Sequence, residues 1–233
     1  MISPNAGVSI TVLRALPIFE TLDDQSLKPL TRVARLRSIP RHTVVLHAGD
    51  HTDNIYFILS GSLKVQVSDD EGREVILSML GPGELFGEMG VLDDHPRSAT
   101  VLAVESSEVV MIGKEDFKRC LVENPDVSLF IIRNLTRRLR LADRKIESLA
   151  LLDVYGRVAR LLIEAAETVD GRTVVTRKMA KQDIAKMIGA SREMVSRVMR
   201  DLANHGLIHE QDGQLVLTDP AALKRHGFQR IED

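Results

Sequence analysis

Gly87-Glu88-Met89-Gly90, with Arg97-Ser98-Ala99 seven residues on, is the stretch whose reading decides the fold of this chain. A glycine lets backbone amides come close to an anion. An acid can take a ribose hydroxyl, an arginine can fork onto two phosphate oxygens, and a serine adds a hydroxyl donor beside it. That makeup suits a cyclic phosphodiester. About a hundred residues downstream, Ser191-Arg192-Glu193-Met194-Val195-Ser196-Arg197 reads as the opening of a DNA recognition helix.

Around the first motif the chain alternates in short apolar runs: Val44 to Leu46, Ile55 to Leu59, Leu63 to Val67, Val75 to Leu80, Ala99 to Val104 and Val109 to Ile112. Gly49-Asp50, Ser60-Gly61, Asp70-Glu71-Gly72 and Gly81-Pro82-Gly83 separate them, which predicts an antiparallel barrel or roll with the motif between two of its strands. Leu27, Leu30, Val33, Ala34 and Leu36 have helical spacing, so a small helix over Asp23 to Leu36 is expected to precede it, ended by Pro40.

From Pro125, a residue tolerated in a first helical turn, to Leu152 there is no glycine and no further proline, which predicts one long helix. Its apolar seam of Ile132, Leu135, Leu139, Ala142, Ile146 and Leu149 advances by 3, 4, 3, 4 and 3 residues, the coiled-coil spacing, and implies a partner helix. Asp153 to Gly156 is the junction. Beyond it come a helix over Arg157 to Thr168, a short strand at Val174-Val175 and a helix over Lys181 to Ile188. A tight turn at Gly189-Ala190, a helix over Ser191 to Asn204 and a hairpin of Leu207-Ile208 and Leu215-Val216-Leu217 about Asp212-Gly213 complete the chain. That is a winged helix-turn-helix. The expected class is therefore α+β, with a nucleotide-binding β-roll over 12–124, a dimerisation helix and hinge over 125–153, and a DNA-binding domain over 154–233.

The 233 residues have room for two domains, and 44% hydrophobic with 27% charged residues is the balance of a globular protein. A net charge of −2 does not exclude DNA, because eight Lys or Arg fall between Arg172 and Arg200. The single Cys120 cannot form an internal disulfide or by itself hold zinc or an iron–sulfur cluster, and a packing role is expected for it. His42, His47, His51 and His95 lack ligand spacing, so no metal is assigned. The first residues do not read as a signal peptide and no apolar run has the roughly 18 residues a bilayer span needs, so the expected location is the cytoplasm. No nucleophile and base pair or clustered carboxylates stand out, so an enzyme is not expected.

In the recognition helix, Ser191 is placed to cap, and Arg192, Glu193, Ser196 and Arg197 occupy the first turns, whose side chains reach base edges when a helix end enters the major groove. Arginine can grip O6 and N7 of guanine and glutamate can accept from N4 of cytosine. Met194, Val195, Val198, Met199 and Leu202 are expected to pack inward. Ala180 stands where a Ser or Thr would cap the preceding helix, at a cost on the order of 1 kcal/mol.

From Leu16 to about Leu217 the sequence resembles the Crp-Fnr family of bacterial transcription regulators. The resemblance is carried by FGEMG with RSA, by LALLDVYGRVARLL at the junction and by IGASREMVSRVMRDL in the helix-turn-helix. It implies a homodimer with a nucleotide-binding roll, a long dimer helix and a winged helix that binds palindromic promoter DNA and acts on RNA polymerase. It assigns Gly87 and Ser98 to phosphate, Glu88 to the ribose hydroxyl and Arg97 to the cyclic phosphate. It aligns Arg192, Glu193 and Arg197 with residues that read a TGTGA-type half-site; Glu193 with Ser196-Arg197 also resembles the set of the fumarate-nitrate branch. That branch's N-terminal cysteine cluster is absent.

On the dimer helix, Ala142 and Asp143 stand where cyclic-AMP-responsive members carry a Thr and a Ser that touch adenine. Alanine offers no such bond, and a carboxylate accepts better from the two adjacent donors of a guanine edge. Arg140 and Arg144 flank Asp143 and could hold a second phosphate, so cyclic AMP, cyclic GMP and cyclic di-GMP all remain open as effectors. A regulator that binds DNA without any nucleotide is the alternative, and a hinge is expected around Asp153.

Overall fold

A computed structural model describes residues 7–51, 53–176 and 179–228, without the side chains of 226–228. Arg177 and Lys178 of the basic stretch, and the end of the last expected domain, therefore lie outside the described residues. The chain divides into two compact units, one through Arg137 and the other from Arg138.

The first unit opens with α1 (Ile10–Arg14), a single 3-10 turn at Pro17–Phe19 and α2 (Asp24–Val33). Asp23 caps α2 by accepting from the Ser26 N–H at 2.8 Å. Eight strands follow, β1 (Arg35–Ile39), β2 (Val44–Leu46), β3 (Asn54–Ser60), β4 (Leu63–Ser68), β5 (Glu74–Leu80), β6 (Leu85–Phe86), β7 (Thr100–Ala103) and β8 (Ser107–Gly113), with α3 (Glu88–Asp93) between β6 and β7. They form two four-stranded sheets, ordered β1-β8-β3-β6 and β2-β7-β4-β5, with every pairing antiparallel. Between them lies an apolar layer to which Tyr56, Ile58, Phe86 and Val109 contribute from one sheet and Leu46, Leu63, Leu80 and Val101 from the other. Tyr56 and Phe86 stack with ring centroids 4.9 Å apart. The outer face of the first sheet (Ile55, Phe57, Val110, Ile112) packs on the helices, including α4 (Lys114–Glu123), through Leu27, Phe117 and Cys120.

The roll matches expectation, but the helix expected to reach Leu36 ends at Val33, and Arg35 to Ile39 is a strand paired with β8. Leu36 is exposed there while Ile39 is buried. The apolar Leu36 extended a helical spacing that its own packing does not use.

The long helix is α5 (Pro125–Leu151), whose residues through Arg137 belong to the first unit and the remainder to the second. The second unit continues with α6 (Val154–Glu164), β9 (Ala166–Val169), β10 (Arg172–Val175), α7 (Lys181–Ile188), α8 (Arg192–Asn204), β11 (Ile208–Gln211), β12 (Gln214–Leu217) and α9 (Pro220–Phe228). The helix expected to run to Thr168 stops at Glu164, because Ala166 to Val169 pairs with β10 across Asp170-Gly171. Both residues of that turn have positive φ, 49° and 74°, and Asp212-Gly213 repeats the geometry at 52° and 74°. These are Asp-Gly hairpin turns whose twist matches that of the strands. The wing is thereby part of a four-stranded sheet, β11-β12-β10-β9, rather than an isolated hairpin. Among the described residues no helix is long and apolar enough to cross a membrane, and no His, Cys, Asp and Glu group could hold a metal ion.

Candidate nucleotide pocket and DNA interface

The two-residue strand β6 pairs with Tyr56 and Phe57 of β3 and delivers Gly87 to the start of α3. Gly87 has φ 78°, and a Cβ there would stand 2.5 Å from the Nη1 of Arg97 and 3.3 Å from the Cδ1 of Leu46. The glycine is required both by the backbone and by the close approach of the arginine. Glu88 follows it into the interior, 2% exposed.

Arg97 is 6% exposed and closes the loop from the other side. Its backbone N–H donates to the Asp50 carbonyl at 2.9 Å, and its own carbonyl accepts from the Gly49 N–H at 2.8 Å. Its side chain is held by backbone: Nη1 donates to the Gly87 carbonyl and Nη2 to the Asn54 carbonyl, each at 2.7 Å. Burial pulls the guanidinium below its usual pKa, while Tyr56, Asp53, Glu88 and Asp50 oppose that shift. The group stays cationic. Its Nε–H is buried with no acceptor among the described residues, and such a donor is costly to leave unmade. Ser98 is exposed beside it, its hydroxyl 3.9 Å from the Met89 sulfur. A buried cation with an unused donor, an adjacent exposed hydroxyl and a buried carboxylate have the chemistry to take a phosphate and a sugar hydroxyl. Gly87, Glu88, Arg97 and Ser98 are thus brought together in one loop cluster.

Asn54 acts through a carbonyl, so no side-chain pattern could have found it. Asp94 inside the same loop also went unread. It adopts φ 59° and holds the Lys114 and Lys118 ammoniums at 2.6 and 2.7 Å, which draw its carboxyl down to about 2. The loop is so tied to α4. Glu84, just before β6, accepts from the Gly81 N–H with one oxygen and from Arg137 on α5 at 3.2 Å with the other.

On α5, Ile132, Leu139, Ile146 and Leu149 are each more than half exposed, and Ala142 is exposed too, whereas Leu135 is partly covered by the core of the first unit. Asp143 and Arg144 are exposed on the part of α5 that belongs to the second unit, and neither side chain has a hydrogen bond or ion pair among the described residues.

In the second unit, Gly189 ends α7 at φ 64°, and Ser191 caps α8 by accepting from the Met194 N–H at 3.1 Å. Ala180 provides no side-chain cap to α7. Arg192, Glu193 and Arg197 are exposed and Ser196 is half-buried, while Val195, Val198 and Leu202 enter the core and Met199 packs against it. Met194 does not pack inward as expected: it is 45% exposed, because its place in the first turn of α8 falls on the side of Arg192 and Glu193.

A phosphate-suited loop in a β-roll, joined by a long helix to a capped reading helix with a wing, defines a ligand-responsive DNA-binding protein. The cyclic nucleotide-binding domain family matches residues 36–124, and the Crp-like helix-turn-helix domain family matches residues 156–226. Over 186 residues the chain is 34% identical to the cAMP-activated global transcriptional regulator CRP of Haemophilus influenzae, covering 78% of this chain and 83% of that protein. Over 218 residues it is 29% identical to the CRP-like cAMP-activated global transcriptional regulator of Mycobacterium tuberculosis, covering 92% and 97%. Among solved structures it is similar to the c-di-GMP responsive global regulator CLP of Xanthomonas campestris, with a TM-score of 0.69, 28% identity, and coverage of 84% of this chain and 100% of that one. The chain belongs to the Crp-Fnr family of transcription regulators, cyclic nucleotide-responsive DNA-binding proteins rather than enzymes.

Proposed function

We propose that this regulator is a homodimer in which a cyclic nucleotide, held by Gly87, Glu88, Arg97 and Ser98, biases two reading heads toward a palindromic promoter site of TGTGA type. The observation that carries the nucleotide reading is the buried, acceptor-less Nε–H of Arg97 beside Glu88 and Ser98. Arg97 holds the phosphate, Ser98 adds a donor to it, and Glu88 accepts from the ribose hydroxyl. Bound nucleotide would supply the anionic charge that balances the buried guanidinium. Two α5 helices pair through Ile132, Leu135, Leu139, Ala142, Ile146 and Leu149; the exposure of every seam residue but Leu135 supports the pairing. Arg192, Glu193, Ser196 and Arg197 read the half-site, and the two heads span major grooves about 34 Å apart. RNA polymerase is the partner that the family resemblance supplies.

Similarity to cAMP-activated relatives favours cyclic AMP, and similarity to a c-di-GMP responsive regulator favours the dinucleotide. The unpaired Asp143 and Arg144 support a guanine-bearing effector, which they would meet through a base edge and a second phosphate. The ligand-independent reading also has an observation behind it: the Nη1 and Nη2 of Arg97 are already used by the Gly87 and Asn54 carbonyls. Calorimetry with cyclic AMP, cyclic GMP and cyclic di-GMP, followed by anisotropy of a labelled TGTGA palindrome with and without the one that binds, separates these. One nucleotide that binds and raises DNA affinity is the expected result. Silence from all three with tight DNA binding by the protein alone would overturn nucleotide control.

A further inference from the structure

We infer that Arg160 is a positioning residue for DNA reading, fixing the angle between the last turns of the long helix and the helix-turn-helix. The junction at Leu152-Asp153 is where a hinge is expected. In the structure this joint is bridged. Asp153 caps α6 by accepting from the Gly156 N–H at 2.8 Å. About two turns further on, Arg160 reaches back to α5: its Nη2 donates to Glu147 at 3.0 Å and its Nη1 to the Arg144 carbonyl at 3.3 Å. A helical carbonyl has a second lone pair beyond its own ladder bond, so the arginine holds both the backbone and a side chain of α5 without breaking the helix. Only a fifth of the Arg160 side chain is exposed, which strengthens the pair relative to an open surface contact.

The same face of α6 then carries the constraint to the reading helix. Arg157, three residues earlier, donates from Nη1 to the Ile188 carbonyl at 2.8 Å, the last residue of α7. Gly189 follows, and its open side lies against α5: a Cβ there would be 3.5 Å from the Leu149 Cδ2. Ser191, two residues on, caps α8. A continuous path of α5, Arg160, α6, Arg157 and the α7–α8 turn therefore ends at Arg192 and Glu193. Lys145, also on α5, has its pKa lowered by burial, with the charge of Glu164 at the end of α6 pulling it back up. Arg160 thus has both a backbone and a carboxylate acceptor on α5. It acts as a latch.

The inference rests on the two-headed reading above, and the test keeps the two apart. Spin labels at Arg140→Cys and Arg200→Cys, both exposed positions, in a Cys120→Ser background diluted with unlabelled protein, report the distance from α5 to α8 without DNA. Arg160→Ala, and the milder Glu147→Gln at a half-exposed side chain, are expected to broaden that distribution while circular dichroism stays unchanged. On DNA, both variants should lose about tenfold or more in affinity for the palindrome and less than about twofold for a single half-site, because only the effective concentration of the second head depends on the angle. An unchanged distance distribution in both variants would overturn the latch, as would an equal loss on palindrome and half-site. If the wild-type protein binds half-site and palindrome alike, the two-headed reading fails while the distance result still judges Arg160.

Discussion

Gly87→Ala isolates the feature on which the nucleotide pocket depends. At φ 78° an alanine costs about 1–2 kcal/mol for its backbone alone. Its Cβ would also meet the Arg97 Nη1 at 2.5 Å, inside any real contact distance, so the guanidinium must slide away from the Gly87 carbonyl that it now holds at 2.7 Å. A buried hydrogen bond from a charged donor is worth about 1.5–3 kcal/mol. The sum, about 2.5–5 kcal/mol, is a large part of a domain's total stability of about 5–15 kcal/mol. The chain has two tyrosines, Tyr56 in the roll and Tyr155 in the second unit, and no tryptophan, so in a Tyr155→Phe background tyrosine fluorescence reports the roll. With a urea m-value near 2 kcal/mol/M the midpoint should fall by roughly 2 M. Nucleotide affinity should drop by more than about tenfold on the proposed reading, in which Arg97 holds the phosphate. A midpoint shift below about 0.3 M with unaltered nucleotide binding would refute the close approach of Gly87 and Arg97.

Three further expectations follow from the same residues. Cys120 is buried and its thiol is pushed up to about 11, so native protein at pH 8 should react with a thiol-specific disulfide reagent about a hundredfold more slowly than in urea; fast native labelling would contradict this. Because the folded-state value is raised, the stabilisation is fully present below about pH 9 and lost as pH rises toward 11, which alkaline unfolding curves of wild type and Cys120→Ser would compare. Leu139→Asp with Ile146→Asp puts two charges into the proposed seam and should give a folded monomer by sedimentation equilibrium, because neither side chain supports the fold of its own subunit; a dimer of undiminished strength would remove the seam. Glu193→Ala or Arg197→Ala should cost about 10- to 100-fold on the preferred palindrome and relax preference at one base pair, measured by anisotropy on base-substituted sites. A uniform loss on all sequences would make the residue a phosphate contact instead.

Much of this architecture is legible in the sequence because its punctuation is local. Asp212-Gly213 announces a hairpin, Pro125 opens α5, and Gly189 with Ser191 sets the reading turn. Errors arose where an element's identity depends on a distant partner. Leu36 fits a helix by spacing and a strand by its pairing with Val110, and the pairing wins. Thr168 continues the helical run in sequence, yet its pairing with Thr173 makes it a strand. The same division runs through the candidate site. Gly87, Glu88, Arg97 and Ser98 declare themselves by residue type, but the atoms that hold Arg97 are carbonyls of Gly87 and Asn54, and every residue has a carbonyl.

That concealed pair of acceptors sets the structural role of Arg97 against the phosphate-binding role proposed for it. As a fold element, it must keep its terminal nitrogens on backbone carbonyls; as a ligand for a phosphate, it must offer donors outward. The structure meets the first demand: Nη1 and Nη2 lie on carbonyls and the remaining Nε is buried, so a phosphate would have to displace one of the carbonyl bonds. A phosphate that competes for Nη1 would release the Gly87 carbonyl at the start of α3, directly beside Glu88, and through β6 the disturbance reaches Glu84 and its ion pair with Arg137 on α5. The proposed effector site and α5 are thus linked through the Arg97–Gly87 bond, the β6 backbone and the Glu84–Arg137 pair, and Glu84→Gln becomes the decisive variant. It keeps the shape of the side chain and the whole cassette, so nucleotide affinity should stay within about twofold, while the nucleotide-induced gain in DNA affinity should shrink by about threefold or more, within the range of a coupling energy of 1–3 kcal/mol. Calorimetry and anisotropy on the same preparation measure both quantities. An undiminished gain in DNA affinity would show that the signal leaves the pocket by another route.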